Sequence, residues 1–119
     1  AEDAISGAVQ GIATKLNVKA VLGYTLTGST VQRISRERPP CRVVGLTPNV
    51  RAASRLALSW GVLPIVTEDP VDFDDMVEHI SELAKASVGL ETGDTVIVSA
   101  GVPFGVPGST NTLNISKIK

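Results

Sequence analysis

Four short apolar runs, each separated from the next by an amphipathic stretch, limit what this chain can fold into. Val18 to Tyr24, Cys41 to Leu46, Val62 to Val66 and Thr95 to Ala100 read as strands. Residues 4–16 place Ile5, Ala8, Val9, Ile12, Ala13 and Leu16 on one face at helical spacing,. Glu2 and Asp3 in its first turn and Lys15 in its last suit the helix dipole, and Asn17 ends it,. A second helix carries Val31 and Ile34 inward and is stopped by Pro39-Pro40,. The third, capped by Thr47 or Asn49, is expected to bury Val50, Ala53, Leu56, Ala57 and Trp60, with Gly61 closing it,. The fourth is capped by Asp72, with Asp74 and Asp75 in its first turn. It carries the stripe Phe73, Met76, Val77, Ile80, Leu83 and Ala84, and Gly89 closes it.

Alternation of strand and helix implies a three-layer α/β/α domain with a mainly parallel sheet covered on both faces. Pro64 cannot donate to a ladder, so the third strand belongs at an edge,. After the Gly93-Asp94 turn and the fourth strand comes the loop Gly101 to Ser109. The segment from Leu113 to Ile118 then alternates as a half-exposed final strand, reached by a short connection and therefore antiparallel,. Right-handed crossovers give the five-stranded order 3-2-1-4-5. Residues 1–119 form one domain, with no second domain or repeat,.

Composition narrows the function. The chain has 119 residues, 11 Lys+Arg against 12 Asp+Glu and a formal net charge of −1, which argues against nucleic acid as a partner,. Its 43% hydrophobic content excludes a disordered tail,. No apolar run approaches the roughly 18 residues of a membrane span, and no signal peptide is expected at the acidic start. A single cysteine makes no internal disulfide, and a single histidine makes no His-rich metal site,. The expected setting is cytoplasmic.

Gly23-Tyr24-Thr25-Leu26-Thr27-Gly28-Ser29-Thr30 joins a strand to a helix. The spacing is that of a phosphate-binding P-loop, with serine where lysine would stand, so ATP hydrolysis is rejected. A glycine turn, an electropositive helix start and the hydroxyls of Thr25, Thr27, Ser29 and Thr30 can still meet a phosphate. An ordinary capped helix start has the same composition, and both readings stay open. The loop Gly101–Asn111 leaves the neighbouring strand. The crevice between the two is the switch point where open α/β sheets bind ligands. Cys41 reads as a packed thiol, His79 as a solvated surface histidine, and the Asp72 cluster as capping. Arg33, Arg36 and Arg38 read as a solvated face, with Arg33 able to add charge at the loop.

Taken in order, several segments make the chain resemble the C-terminal domain of pyruvate kinases over nearly its whole length. They are Asp3-Ala4-Ile5-Ser6, Lys19-Ala20-Val21, the Thr25-x-Thr27-Gly28-x-Thr30 loop and Val31 through Pro39. Val43 through Asn49, Trp60-Gly61-Val62-x-Pro64 and Gly93-Asp94-x-Val96-Ile97-Val98 follow. Ala100 through Pro103 and Gly108 through Asn111 complete the set. The wording is closer to bacterial members than to animal ones. The resemblance implies the same five-stranded fold and no catalytic residue in this domain. Phosphoryl transfer from phosphoenolpyruvate to ADP would occur on a separate (β/α)8 barrel, with magnesium and potassium. This domain would hold a phosphorylated small-molecule effector and a subunit interface of a homo-oligomer. The phosphate would lie at Thr25, Thr27, Gly28, Ser29 and Thr30, under a loop around Gly101, Gly105, Gly108, Ser109 and Thr110. Leu26 and the uncharged loop offer nothing for a second phosphate, which implies a monophosphate effector or none. A free-standing phosphometabolite-binding protein of this fold and a small α/β enzyme remain as alternatives.

Overall fold

The computed structural model describes residues 2–68, 73–101 and 110–119. Its elements are α1 (Glu2–Leu16), β1 (Ala20–Tyr24), α2 (Ser29–Arg36), β2 (Arg42–Thr47), α3 (Val50–Leu56), β3 (Val62–Val66), α4 (Phe73–Ser87), β4 (Thr95–Gly101) and β5 (Thr110–Lys117). The sheet order is β3-β2-β1-β4-β5, as expected. All pairs are parallel except β4–β5, which is antiparallel with an irregularity between Ala100 and Gly101. Pro64 lies on β3, the edge strand opposite β5.

Two apolar layers flank the sheet. On one face Leu22, Tyr24, Val44, Leu46, Val96 and Val98 pack with Ile80 and Ala84 of α4. On the other Val21, Val43 and Ile97 meet Val9 and Ala13 of α1, Val31 and Ile34 of α2, and Leu56 of α3. Two successive right-handed crossovers on one side of β1 and a return on the other place three helices on one face and one on the second. Gly23 and Gly45 are register partners on the three-helix face. A Cβ at Gly23 would lie 3.0 Å from Val31 Cγ2, and one at Gly45 would lie 2.7 Å from Leu56 Cδ1. The two glycines are thus the floor on which α2 and α3 rest.

Several expectations need correction. β1 starts at Ala20 rather than Val18, although Val18 is buried. α2 ends at Arg36, three residues before the Pro39-Pro40 pair. Its C-cap is Glu37, and Arg38 follows at φ +47. α3 stops at Leu56, so the spacing that reached Trp60 ran past its end. Ala57 is exposed and Trp60 is 56% exposed, because both stand in the turn that leads to β3. Val50, the first helical residue, points away from the sheet at 65% exposure, and Ala52 is buried with Ala53 and Leu56 instead. Gly61 has φ +68, but it serves that turn and not the helix end. The Asp72 cap and the loop residues 102–109 lie outside the described residues, as do the side chains of Phe73, Met76 and Val77. In β5, Leu113 packs on the three-helix face and Ile115 is left 47% exposed, while Ile118, just past the strand, is buried on the other face.

Candidate functional site

The loop between β1 and α2 is built from short local bonds. Thr25 N–H donates to Leu46 O at 2.9 Å, which carries the β1–β2 ladder one residue beyond the strand. The chain then turns through Gly28 at φ +93 and ψ −11, a left-handed conformation costly for other residues,. Gln32 N–H donates to Gly28 O at 3.0 Å and closes the first turn of α2. A Cβ on Gly28 would meet Leu56 Cδ2 at 3.4 Å. The glycine is therefore demanded by its φ, independently of any ligand.

Two amides at the helix start are already occupied. Gly28 N–H donates to Thr25 Oγ1 at 2.8 Å and Ser29 N–H to Thr27 Oγ1 at 3.3 Å. Thr25 and Thr30 are buried, Ser29 is half-buried and Thr27 is exposed. Thr25 is thus a brace within the loop. An anion would take the Ser29 amide, with the Thr27 hydroxyl turning to donate to it. Charge, missing from the loop's own sequence, arrives from α3. Arg55 Nη2 donates to Thr27 O at 2.9 Å, which leaves its other N–H groups at the exposed rim. Sequence reading passed over Arg55 because it lies 28 residues from Thr27. The signal available was topological: consecutive crossovers β1–α2–β2 and β2–α3–β3 set α3 beside α2.

The ends of β1 and β4 lie side by side, with Gly23 paired to Ser99. Ser99 is fully buried, and its hydroxyl has no hydrogen-bond partner among the described residues. A serine within the apolar run Val96-Ile97-Val98-Ser99-Ala100 was the signal for it. Of the second loop, Gly101 ends β4 and pairs with Thr110 at the start of β5. Gly105, Gly108 and Ser109 lie outside the described residues.

His79 is not the solvated surface residue expected. It is half-buried, with Nε2 2.8 Å from Thr67 Oγ1, which ties α4 to the segment after β3. Arg33 is half-buried and takes part in an interaction, so it does not belong to a solvated face. Arg38 is exposed and stacks on Trp60, 4.7 Å from the ring centroid. Cys41 is half-buried, and its burial pushes the thiol pKa up, which favours an unreactive neutral thiol,. Among the described residues no group of three His, Cys, Asp or Glu side chains could hold a metal. No described helix is long and apolar enough to cross a membrane.

Comparison with known proteins agrees with this fold. The family described as "Pyruvate kinase, alpha/beta domain" matches residues 3–116. A pyruvate kinase of Methylorubrum extorquens is 45% identical over 116 residues, covering 98% of this chain and 24% of the relative. One of Lactococcus lactis is 35% identical over 117 residues, covering 98% of this chain and 23% of the relative. One of Clostridium acetobutylicum is 35% identical over 117 residues, covering 98% and 25%. The chain spans about a quarter of the length of these curated relatives. With the match running from α1 into β5, the chain belongs to the pyruvate kinase family as its C-terminal alpha/beta domain.

Proposed function

We propose that this chain is the regulatory domain of a pyruvate kinase and binds a phosphorylated small-molecule effector at Thr25–Thr30. The parent enzyme transfers a phosphoryl group from phosphoenolpyruvate to ADP in glycolysis, in the cytoplasm. Magnesium and potassium act on its barrel domain. This domain contributes to subunit association through β5. One observation carries the effector reading: Arg55 reaches across from α3 to the carbonyl of Thr27, beside a glycine-turned helix start. A helix N-terminus attracts anions, and a guanidinium adds charge-assisted hydrogen bonds. With one arginine, the site suits one phosphate.

The test is a titration followed by amide NMR shifts, with inorganic phosphate, AMP and hexose monophosphates as probes. Binding in the micromolar to millimolar range is expected, because a few charge-assisted bonds of about 1.5–3 kcal/mol each are opposed by association entropy. Shifts should centre on residues 25–30 and 101–110. Thr27→Ala and Arg55→Ala should each weaken phosphate about tenfold with only a small loss of Tm, since the hydrogen bonds they remove are exposed,. Thr25→Ala should instead lower Tm, because it strands the Gly28 amide in a buried loop,. Absence of shifts at millimolar ligand would reduce the loop to a helix cap.

The 119-residue chain alone is expected to show no phosphoryl transfer. A coupled assay with phosphoenolpyruvate, ADP, magnesium and potassium checks this. Turnover above blank by pure protein would favour the small-enzyme alternative.

A further inference from the structure

The two edge strands of the sheet, β3 and β5, turn different backbone outward. Gly61 O accepts from Val43 N–H at 3.4 Å, and Thr67 N–H donates to Thr47 O at 2.9 Å. In a parallel ladder a residue turns its N–H and C=O to the same side, and successive residues alternate. Residues 61, 63, 65 and 67 therefore face β2, and Val62, Pro64 and Val66 face away from it. Val62 N–H turns back to Ser59 O at 3.4 Å, and Pro64 has no N–H. The outward row of donors on β3 is thus broken at the middle of the strand. On β5, where Ile118 N–H donates to Asp94 O, the alternate amides of Leu113, Ile115 and Lys117 form an unbroken outward row.

The side chains of β3 make that break consequential. Val62-Leu63-Pro64-Ile65-Val66-Thr67 carries no charge, and the nearest charged residues in sequence are Arg55 and Glu68. Val62, Ile65, Val66 and Thr67 are β-branched, and Val66 is 52% exposed. A short, uncharged, β-branched segment on an edge strand is a template for the addition of another strand. Natural edges are defended by charged side chains, by bulges or by proline. The pairing of β3 with β2 runs in unbroken register, so β3 has neither charge nor bulge, and its defence is Pro64.

We infer that Pro64 closes the β3 edge to a second copy of this chain. Without it, residues 62–67 would pair antiparallel with the same segment of another copy, about a two-fold axis at residue 64. Val62 would then stand opposite Val66 of that copy, an apolar pair. The two hydrogen bonds at the axis would each run from the N–H of residue 64 to the C=O of its counterpart, so proline at this position forfeits both. The closure also limits assembly. Copies that joined at β3 and at β5 in turn would grow into an open ribbon, whereas a sheet with β3 closed ends at a two-fold pair. The inference concerns β3 alone. It holds whether or not β5 pairs, and it does not depend on effector binding.

The test is sedimentation velocity on Pro64→Val, with Pro64→Thr as a less apolar replacement that also restores the N–H. Each is combined with Ile115→Pro, which removes the central outward donor of β5 and so isolates the β3 edge. Relative to Ile115→Pro alone, both double variants are expected to rise about twofold in mass. Amide hydrogen exchange should slow at residues 64 and 66 of the associated form. Pro64→Val without Ile115→Pro should grow past the dimer where β5 pairs and stop at the dimer where it does not, so a failure of β5 pairing leaves the β3 result readable. Thermal melts followed by circular dichroism check that each variant is folded. Folded double variants that keep the mass of Ile115→Pro overturn the inference. So does association confined to chains that have lost a cooperative melt, or a dimer whose added exchange protection lies outside residues 62–67.

Discussion

Leu56→Ala is expected to lower stability by about 3–5 kcal/mol, the upper part of the range for buried leucines. Leu56 is fully buried in the layer formed by α1, α2 and α3. Its two methyl groups lie 2.7 and 3.4 Å from where Cβ atoms of Gly45 and Gly28 would be. Much of the cavity wall is therefore backbone of β2 and of the β1–α2 loop. Backbone held by a ladder and by a helix cap collapses poorly, so most of the void remains. Gly45→Ala should also destabilise, by about 1–3 kcal/mol, because its new methyl group overlaps Leu56 Cδ1 in a packed core. Combined, the two substitutions should cost about 1–2 kcal/mol less than their sum, since the alanine at 45 fills part of the space Leu56 vacates. Urea denaturation of the four proteins measures this, and simple additivity would show that the two positions do not share space. At a loss near 3 kcal/mol a domain of this size should melt at least about 10 °C lower.

Strand order and the edge position of Pro64 were legible because they follow from few, strong constraints: crossover handedness, the length of apolar runs and a missing N–H. Helix ends were less legible. The apolar spacing continued past Leu56 to Trp60, yet α3 ends at Leu56 and the tryptophan is left outside. Periodicity marks a face but carries no term for where the backbone stops being helical. The loop's composition was readable, but its hydrogen-bond state was not. The Thr25 and Thr27 hydroxyls that looked like donors to a ligand accept from the loop's own amides. Arg55 and the His79–Thr67 contact depend on which helices and segments become neighbours, a three-dimensional fact with no local signature.

Ile115→Pro should abolish self-association of the chain and leave the β4–β5 ladder intact. Ile118 N–H donates to Asp94 O at 2.9 Å, so residue 118 points its amide toward β4. In an antiparallel pair this direction alternates. With Val96 opposite Ser116 and Ile97 opposite Ile115, the amides of Asn114 and Ser116 face β4, while those of Leu113, Ile115 and Lys117 face the open edge. That edge is where a two-fold partner could extend the sheet. A two-fold axis through Ile115 would pair it with its own copy and set Lys117 against Leu113 of the partner, which keeps like charges apart. Proline at 115 removes an outward donor only, and its fixed φ is tolerated where the N–H faces away from the neighbouring strand. Ser116→Pro, by contrast, breaks an inward bond and should lower Tm. Ile115→Thr keeps the donor and the strand preference, and should keep the pairing. Sedimentation velocity at about 100 μM should therefore find dimers for the parent chain and Ile115→Thr, and monomers for Ile115→Pro with an unchanged Tm. A dimer that survives Ile115→Pro would place the interface elsewhere. A parent chain that is already monomeric would show that the β5 edge does not pair by itself.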